Sequence, residues 1–153
     1  MADSINITEI LACDQETAFN AFVTDFQKWW PQAYSLSKEG LKEIGITPKV
    51  NGMCYEIGPH GFRCDWGRVL IWQPPERLVF TWQISERSAP EPNPELASEV
   101  HLEFVNLGAN QTQIKLQHKH FSRHGEGGVN YCTEMASEYG WPYIISEYKR
   151  YCG

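Results

Sequence analysis

The segment from Trp66 to Trp82, WGRVLIWQPPERLVFTW, constrains this chain more than any other. Two apolar runs rich in Val, Ile, Phe and Trp flank Gln73-Pro74-Pro75-Glu76. Proline has no N–H for a sheet ladder and fixes its own φ, so the pair marks a tight connection between strands. Leu78, Phe80 and Trp82 alternate with Val79, Thr81 and Gln83, the period of a strand with one face on a core. The segment reads as a β-hairpin, and the chain must contain an antiparallel sheet.

The flanking sequence extends that sheet. Ile5, Ile7 and then Glu9/Leu11 alternate as an opening strand. Asp14 is placed to cap a helix, because its carboxylate can accept a first-turn N–H. Ala18, Phe19, Phe22 and Val23 follow at helical spacing. Thr24 or Asp25 starts a second short helix, which Pro31 ends. Leu41–Val50 reads as a strand, Asn51-Gly52 as a two-residue hairpin turn, and Met53–Ile57 as the returning strand. Val100 to Phe104 and Ile114 to His118 form a last hairpin. From about Val129, Trp141, Ile144 or Ile145, Tyr148 and Cys152 share one helical face, with Pro142 starting or kinking the helix near Gly140-Trp141. The pattern predicts an α+β fold in one domain, residues 1–153: about six antiparallel strands, two short helices after the first, and a long C-terminal helix over the sheet. Ser85 to Ser98, with Pro90, Pro92 and Pro94, is neither strand nor helix; it reads as a mobile surface loop, the alternative being an ordered lid.

Composition narrows the function. Lys and Arg number 13 against 19 Asp and Glu, a formal net charge of −6, and no basic cluster offers a face for nucleic acid. No stretch reaches the roughly 20 apolar residues needed to span a bilayer, so no membrane partner is expected. The N-terminus has neither a basic nor an apolar leader region, and the five cysteines contain no CxxC. Together these predict a cytoplasmic protein with reduced thiols, Cys54 and Cys64 being the pair placed to face each other.

Matching apolar faces in the last hairpin sets Leu102 opposite Leu116 and Phe104 opposite Ile114. That register puts His118 opposite Val100 on the inner face, with His120 inward one step along and His101 outward. Two inward imidazoles two residues apart invite a metal, but H-x-H without a spaced third ligand is a weak signal, and neither metal nor cofactor is expected. No G-x-S-x-G elbow or Cys-His pair recommends nucleophilic catalysis. Acid–base work by His118 or His120 with Glu56 or Glu103 stays open. Trp29 and Trp30 are adjacent on a helix and cannot share a face, so one packs in the core and the other edges a cavity. Trp66, Phe80, Trp82, Trp141 and Tyr143 complete the expected wall.

Four segments, in order, resemble one known group. These are Ile5–Ile10 with Glu16–Phe19 and Trp29-Trp30-Pro31; Gly67-Arg68-Val69 with Pro74–Leu78 and Phe80–Trp82; Val100–Phe104 with Gly108, Thr112 and Leu116–His118; and Gly140-Trp141 leading to Ile144-Ile145 and Tyr148. Together they are similar to the SRPBCC superfamily, and within it to the branch named for the activator of the heat-shock-protein-90 ATPase. The resemblance implies a helix-grip fold with a cavity between sheet and C-terminal helix. A histidine at the equivalent of His118 is frequent there, in the pattern His-x-Gly-Phe. His120 stands in place of that glycine, which makes it the residue most particular to this chain's ligand.

The function expected is binding of a small, mainly apolar or aromatic molecule in the cavity, anchored by His118 and His120, by a monomer or homodimer. The alternatives are a polyketide cyclase or aromatase using the same cavity, as in SRPBCC relatives, and a chaperone-interaction module. The last is disfavoured, because the chaperone activators carry a separate docking domain and this sequence opens directly on the first strand.

Overall fold

A computed structural model describes residues 3–153. Seven antiparallel strands form one curled sheet in the order β1-β7-β6-β5-β4-β3-β2. They are β1 (Ser4–Leu11), β2 (Glu43–Ile46), β3 (Met53–Ile57), β4 (Arg63–Gln73), β5 (Arg77–Trp82), β6 (Ser98–Gly108) and β7 (Gln111–Lys119). The count exceeds the expected six or so by one, and the edge strand β2 covers only four residues of the expected Leu41–Val50, all paired with β3. Pro74, Pro75 and Glu76 join β4 to β5, as their chemistry requires. Between β2 and β3 the turn is longer than the Asn-Gly signal suggested: Thr47 to Gly52 all lie outside the strands, and the Asn51 N–H bonds sideways to the Val69 carbonyl at 2.8 Å. The Pro48 interruption, which removes an N–H from the ladder, accounts for the early end of β2.

Inward residues form rows across the sheet. Leu78, Leu102, Leu116 and Ile7 lie side by side, and so do Phe80, Val100, His118 and Ile5. The β6–β7 register is the one the apolar faces dictated. Helix α1 (Gln15–Val23), capped by the Asp14 carboxylate accepting the Thr17 N–H at 2.7 Å, lays Phe19 and Phe22 onto this face, with Phe19 edge-on to Phe104 at 5.2 Å. Helix α2 (Phe26–Trp29) follows at once.

The C-terminal region is two helices: α3 (Gly128–Met135) and α4 (Trp141–Cys152). A Cβ on Gly140 would fall 2.1 Å from the Met135 carbonyl oxygen, so the chain can turn this tightly only at glycine. Pro142 then sits in the first turn of α4, where its missing N–H is no loss. Trp141, Ile144, Ile145 and Tyr148 are buried on one face of α4, and the Tyr148 hydroxyl donates to the Ala18 carbonyl, tying α4 to α1. All five cysteines are free thiols; Cys54 lies opposite Gly67 and Cys64 opposite Glu56, so the two do not face each other.

Candidate functional site

The inward indoles, one phenol and two imidazoles converge at one end of the sheet. Trp82, last residue of β5, donates its Nε1–H to the Tyr131 hydroxyl of α3 at 2.7 Å. That hydroxyl donates onward to the Ile84 carbonyl at 2.9 Å. Burial pushes the Tyr131 hydroxyl well above its ordinary pKa, so it stays protonated and able to do both.

Behind Trp82 runs a second chain of bonds whose direction is forced. The Trp141 Nε1–H, which can only donate, meets His118 Nδ1 at 2.8 Å. His118 is wholly buried, and desolvation, reinforced by His124, holds it far below the usual imidazole range. Its ring is therefore neutral, with its proton on Nε2, donated to Ser98 Oγ at 2.6 Å. The Ser98 hydroxyl in turn donates to His124 Nε2 at 2.8 Å. Phe121 stacks on the His118 ring at 4.1 Å. Every polar atom of His118 is used internally.

The cavity lies on the other side of Trp82. An outer hollow of about 580 Å³ opens between the end of β5, α3, the start of α4 and the segment after α2. It adjoins an inner hollow of about 70 Å³, the two sharing Trp30, Leu36, Trp82 and Ile84 together with the polar residues Tyr34, Ser35 and Ser88. Trp66, Ile44 and Glu56 complete the inner one. Glu56 is buried, and its carboxylate accepts the backbone N–H groups of Leu36 at 2.9 Å and Ser37 at 2.6 Å. Among the described residues, neither the Trp30 nor the Trp66 indole N–H has a hydrogen-bond partner, although both nitrogens are buried. By contrast, the Trp29 N–H is satisfied by the Ala21 carbonyl at 2.9 Å. Of the adjacent pair, Trp29 packs in the core and Trp30 edges the cavity.

The proline-rich segment is pinned rather than loose. Ser85 N–H bonds the Ala89 carbonyl and Glu91 N–H the Gln83 carbonyl, both at 2.8 Å, while Gln83 Nε2 donates to the Glu91 carbonyl at 3.0 Å. Ser85, Glu86 and Ser88, at its start, line the outer hollow.

Trp30, Trp66, Phe80, Trp82, Trp141 and His118 thus form one aromatic network, with Trp30 and Trp82 centroids 6.1 Å apart and Trp82 and Trp141 5.6 Å apart. Phe80, Trp141 and His118 stand behind the wall rather than on it. His120 and Tyr143 lie elsewhere. Strand β7 ends at Lys119, and His120 turns out of it with φ of +68°, so the inward alternation stops one residue short. Tyr143 is 38% exposed on the outside of α4, its ring 5.5 Å from Tyr34. Ser98 and Tyr131 escaped the sequence reading. For Ser98 a signal existed: it lies two residues before Val100 and shares its face. Nothing in the sequence signalled Tyr131. Among the described residues no cluster of three or more His, Cys, Asp or Glu is arranged to hold a metal, and no helix is long and apolar enough to cross a membrane.

Comparison with known proteins identifies the lineage. Residues 12–152 match the family described as Activator of Hsp90 ATPase homolog 1-like protein. No curated protein matches the chain. Among solved structures, the anthrahydroquino-γ-pyrone synthase Txn09 is 29% identical with a TM-score of 0.69, over 97% of this chain and 96% of that one. The self-sacrificing resistance protein CalC from Micromonospora echinospora is 24% identical with a TM-score of 0.68, over 98% and 94%. The Aha1 dimer from Colwellia psychrerythraea is 17% identical with a TM-score of 0.62, over 99% and 96%. The last two share the fold.

Proposed function

As the chain belongs to the family of Activator of Hsp90 ATPase homolog 1-like proteins, we propose that it is a binding protein that takes a small, flat, mainly apolar ligand into the two adjoining hollows. The observation that carries this reading is the wall: Trp30 and Trp82 border both hollows and Trp66 the inner one, while polar side chains, Lys38, Glu86 and Glu134 among them, rim the outer one. Aromatic faces with sparse polar anchors are what such a ligand needs, and a hollow of about 580 Å³ falls in the range of small-molecule sites.

Ala33 tests it. This residue is exposed and lines the outer hollow. Ala33→Trp narrows the opening without touching the core, so stability changes by about 0.5 kcal/mol or less. Native mass spectrometry of gently purified protein is expected to find excess mass, lost on denaturation, on the parent chain and not on the variant. Equal adducts on both would overturn the reading.

A second reading, that the cavity turns over a polyketide-like substrate, is favoured by the likeness to a pyrone synthase at 29% identity across 97% of this chain. Glu56 is the ionisable group it places nearest a substrate in the inner hollow.

A further inference from the structure

The inner hollow is small, apolar on most sides and chemically lopsided. A buried N–H without a partner is costly relative to one that is bonded. Two such donors, Trp30 Nε1–H and Trp66 Nε1–H, belong to indoles that line one hollow of about 70 Å³. Elsewhere in this fold buried indoles are satisfied: Trp29, Trp82 and Trp141 each donate to a named acceptor. Glu56 is the one acidic side chain of the hollow; Tyr34 and Ser35, which border it together with Ser88, spend their hydroxyl protons on the Tyr139 and Gln32 carbonyls. A carboxylate offers about four acceptor positions, and the two backbone N–H bonds from Leu36 and Ser37 leave the others free. No salt bridge to Glu56 exists among the described residues, so the chain supplies it no cation.

The group that fits this set must accept from an N–H and donate to a carboxylate at once. A ketone or ether oxygen accepts from the indoles but turns its lone pairs on Glu56. An ammonium pairs with Glu56 but leaves the indoles as they were. A hydroxyl does both, its O–H donating and its lone pairs accepting. The volume agrees, because about 70 Å³ holds little more than a water or two. The ring system bearing the group then lies in the larger outer hollow, against Trp30 and Trp82.

We infer that the ligand is a hydroxyaromatic compound whose hydroxyl enters the inner hollow, accepting from Trp66 and Trp30 and donating to Glu56. This deepens the binding reading above and rests on it. Trp66, Trp30 and Glu56 are then the residues that set specificity, whereas the aromatic wall supplies most of the affinity. Charge-assisted hydrogen bonding to Glu56 makes the O–H contact the strongest of the three.

Equilibrium dialysis of the full chain against 2-naphthol, 2-methoxynaphthalene and 2-acetylnaphthalene tests this, because the three share a ring system and differ only in the oxygen group. The expected result is that 2-naphthol binds about tenfold or more tightly than either analogue, the equivalent of one good hydrogen-bonded group. In Trp66→Phe and Glu56→Gln that preference falls to about threefold or less. The ratio between probes is the readout, since a general loss of stability lowers all three affinities together and leaves the ratio alone. Equal binding of the three probes by the parent chain would overturn the hydroxyl inference while leaving the cavity as a ligand site. Binding of none of them would overturn both. An undiminished preference in both variants would also overturn the assignment, because the hydroxyl would then be read elsewhere.

Discussion

His118 shows how a polar residue can be central to the cavity end of the fold without facing the ligand. Its two ring nitrogens are occupied by Trp141 and Ser98. His118→Leu keeps the bulk and removes both partners, leaving the Trp141 N–H buried and unbonded. The expected loss is about 2–3 kcal/mol in urea denaturation, whereas a loss under about 0.5 kcal/mol would show that the network is not structural. The pH dependence has a definite sign. Folding depresses the His118 pKa, so the folded ring stays neutral while the unfolded one takes up a proton below its ordinary value of 6.5. Stability from this group is therefore intact above about pH 6.5 and falls as pH drops below it, by up to ~1.4 kcal/mol per pH unit. His118→Leu should flatten that slope between neutrality and mild acid. The inward position of His118 was legible because two apolar pairs, Leu102–Leu116 and Phe104–Ile114, set the register. His120 was not, because its left-handed backbone conformation breaks the alternation, and histidine carries no sequence mark for it.

At the scale of elements, strands read most clearly where burial differs between their faces. In β7, Thr112, Ile114, Leu116 and His118 are buried while the residues between them are not, so period 2 is plain. The α3–α4 break was harder, since Gly140 at close approach to Met135 is a contact between backbone segments and not a pattern in side chains. The proline-rich segment was misread for a related reason. Its order comes from Gln83, a residue outside it, whose side-chain amide holds the Glu91 carbonyl. Gln83→Ala should free this strap with little effect on the sheet. In hydrogen exchange, the Glu91 and Ser85 amides are expected to exchange at least about tenfold faster, a loss of ~1.4 kcal/mol of local protection, with β6 and β7 unchanged. Unchanged protection at both amides would show that the backbone bonds suffice alone.

For the whole molecule, four weak sequence likenesses in the right order were enough to indicate the family and the helix-grip architecture. The cavity's contents were less legible, because which indoles lack partners depends on tertiary placement. Trp29 and Trp30 are neighbours in sequence, yet only Trp29 finds a carbonyl. That difference supplies the most direct test of the central claim that a ligand occupies the paired hollows. In ¹⁵N–¹H spectra of the full chain titrated with 2-naphthol, the indole N–H resonances of Trp30 and Trp66 are expected to move most, downfield as they gain an acceptor. Those of Trp29 and Trp141, bonded to Ala21 and His118 outside the hollows, should hold nearly still. Shifts at Trp29 and Trp141 equal to those at Trp30 and Trp66, or no shift at any indole at saturating probe, would contradict the account.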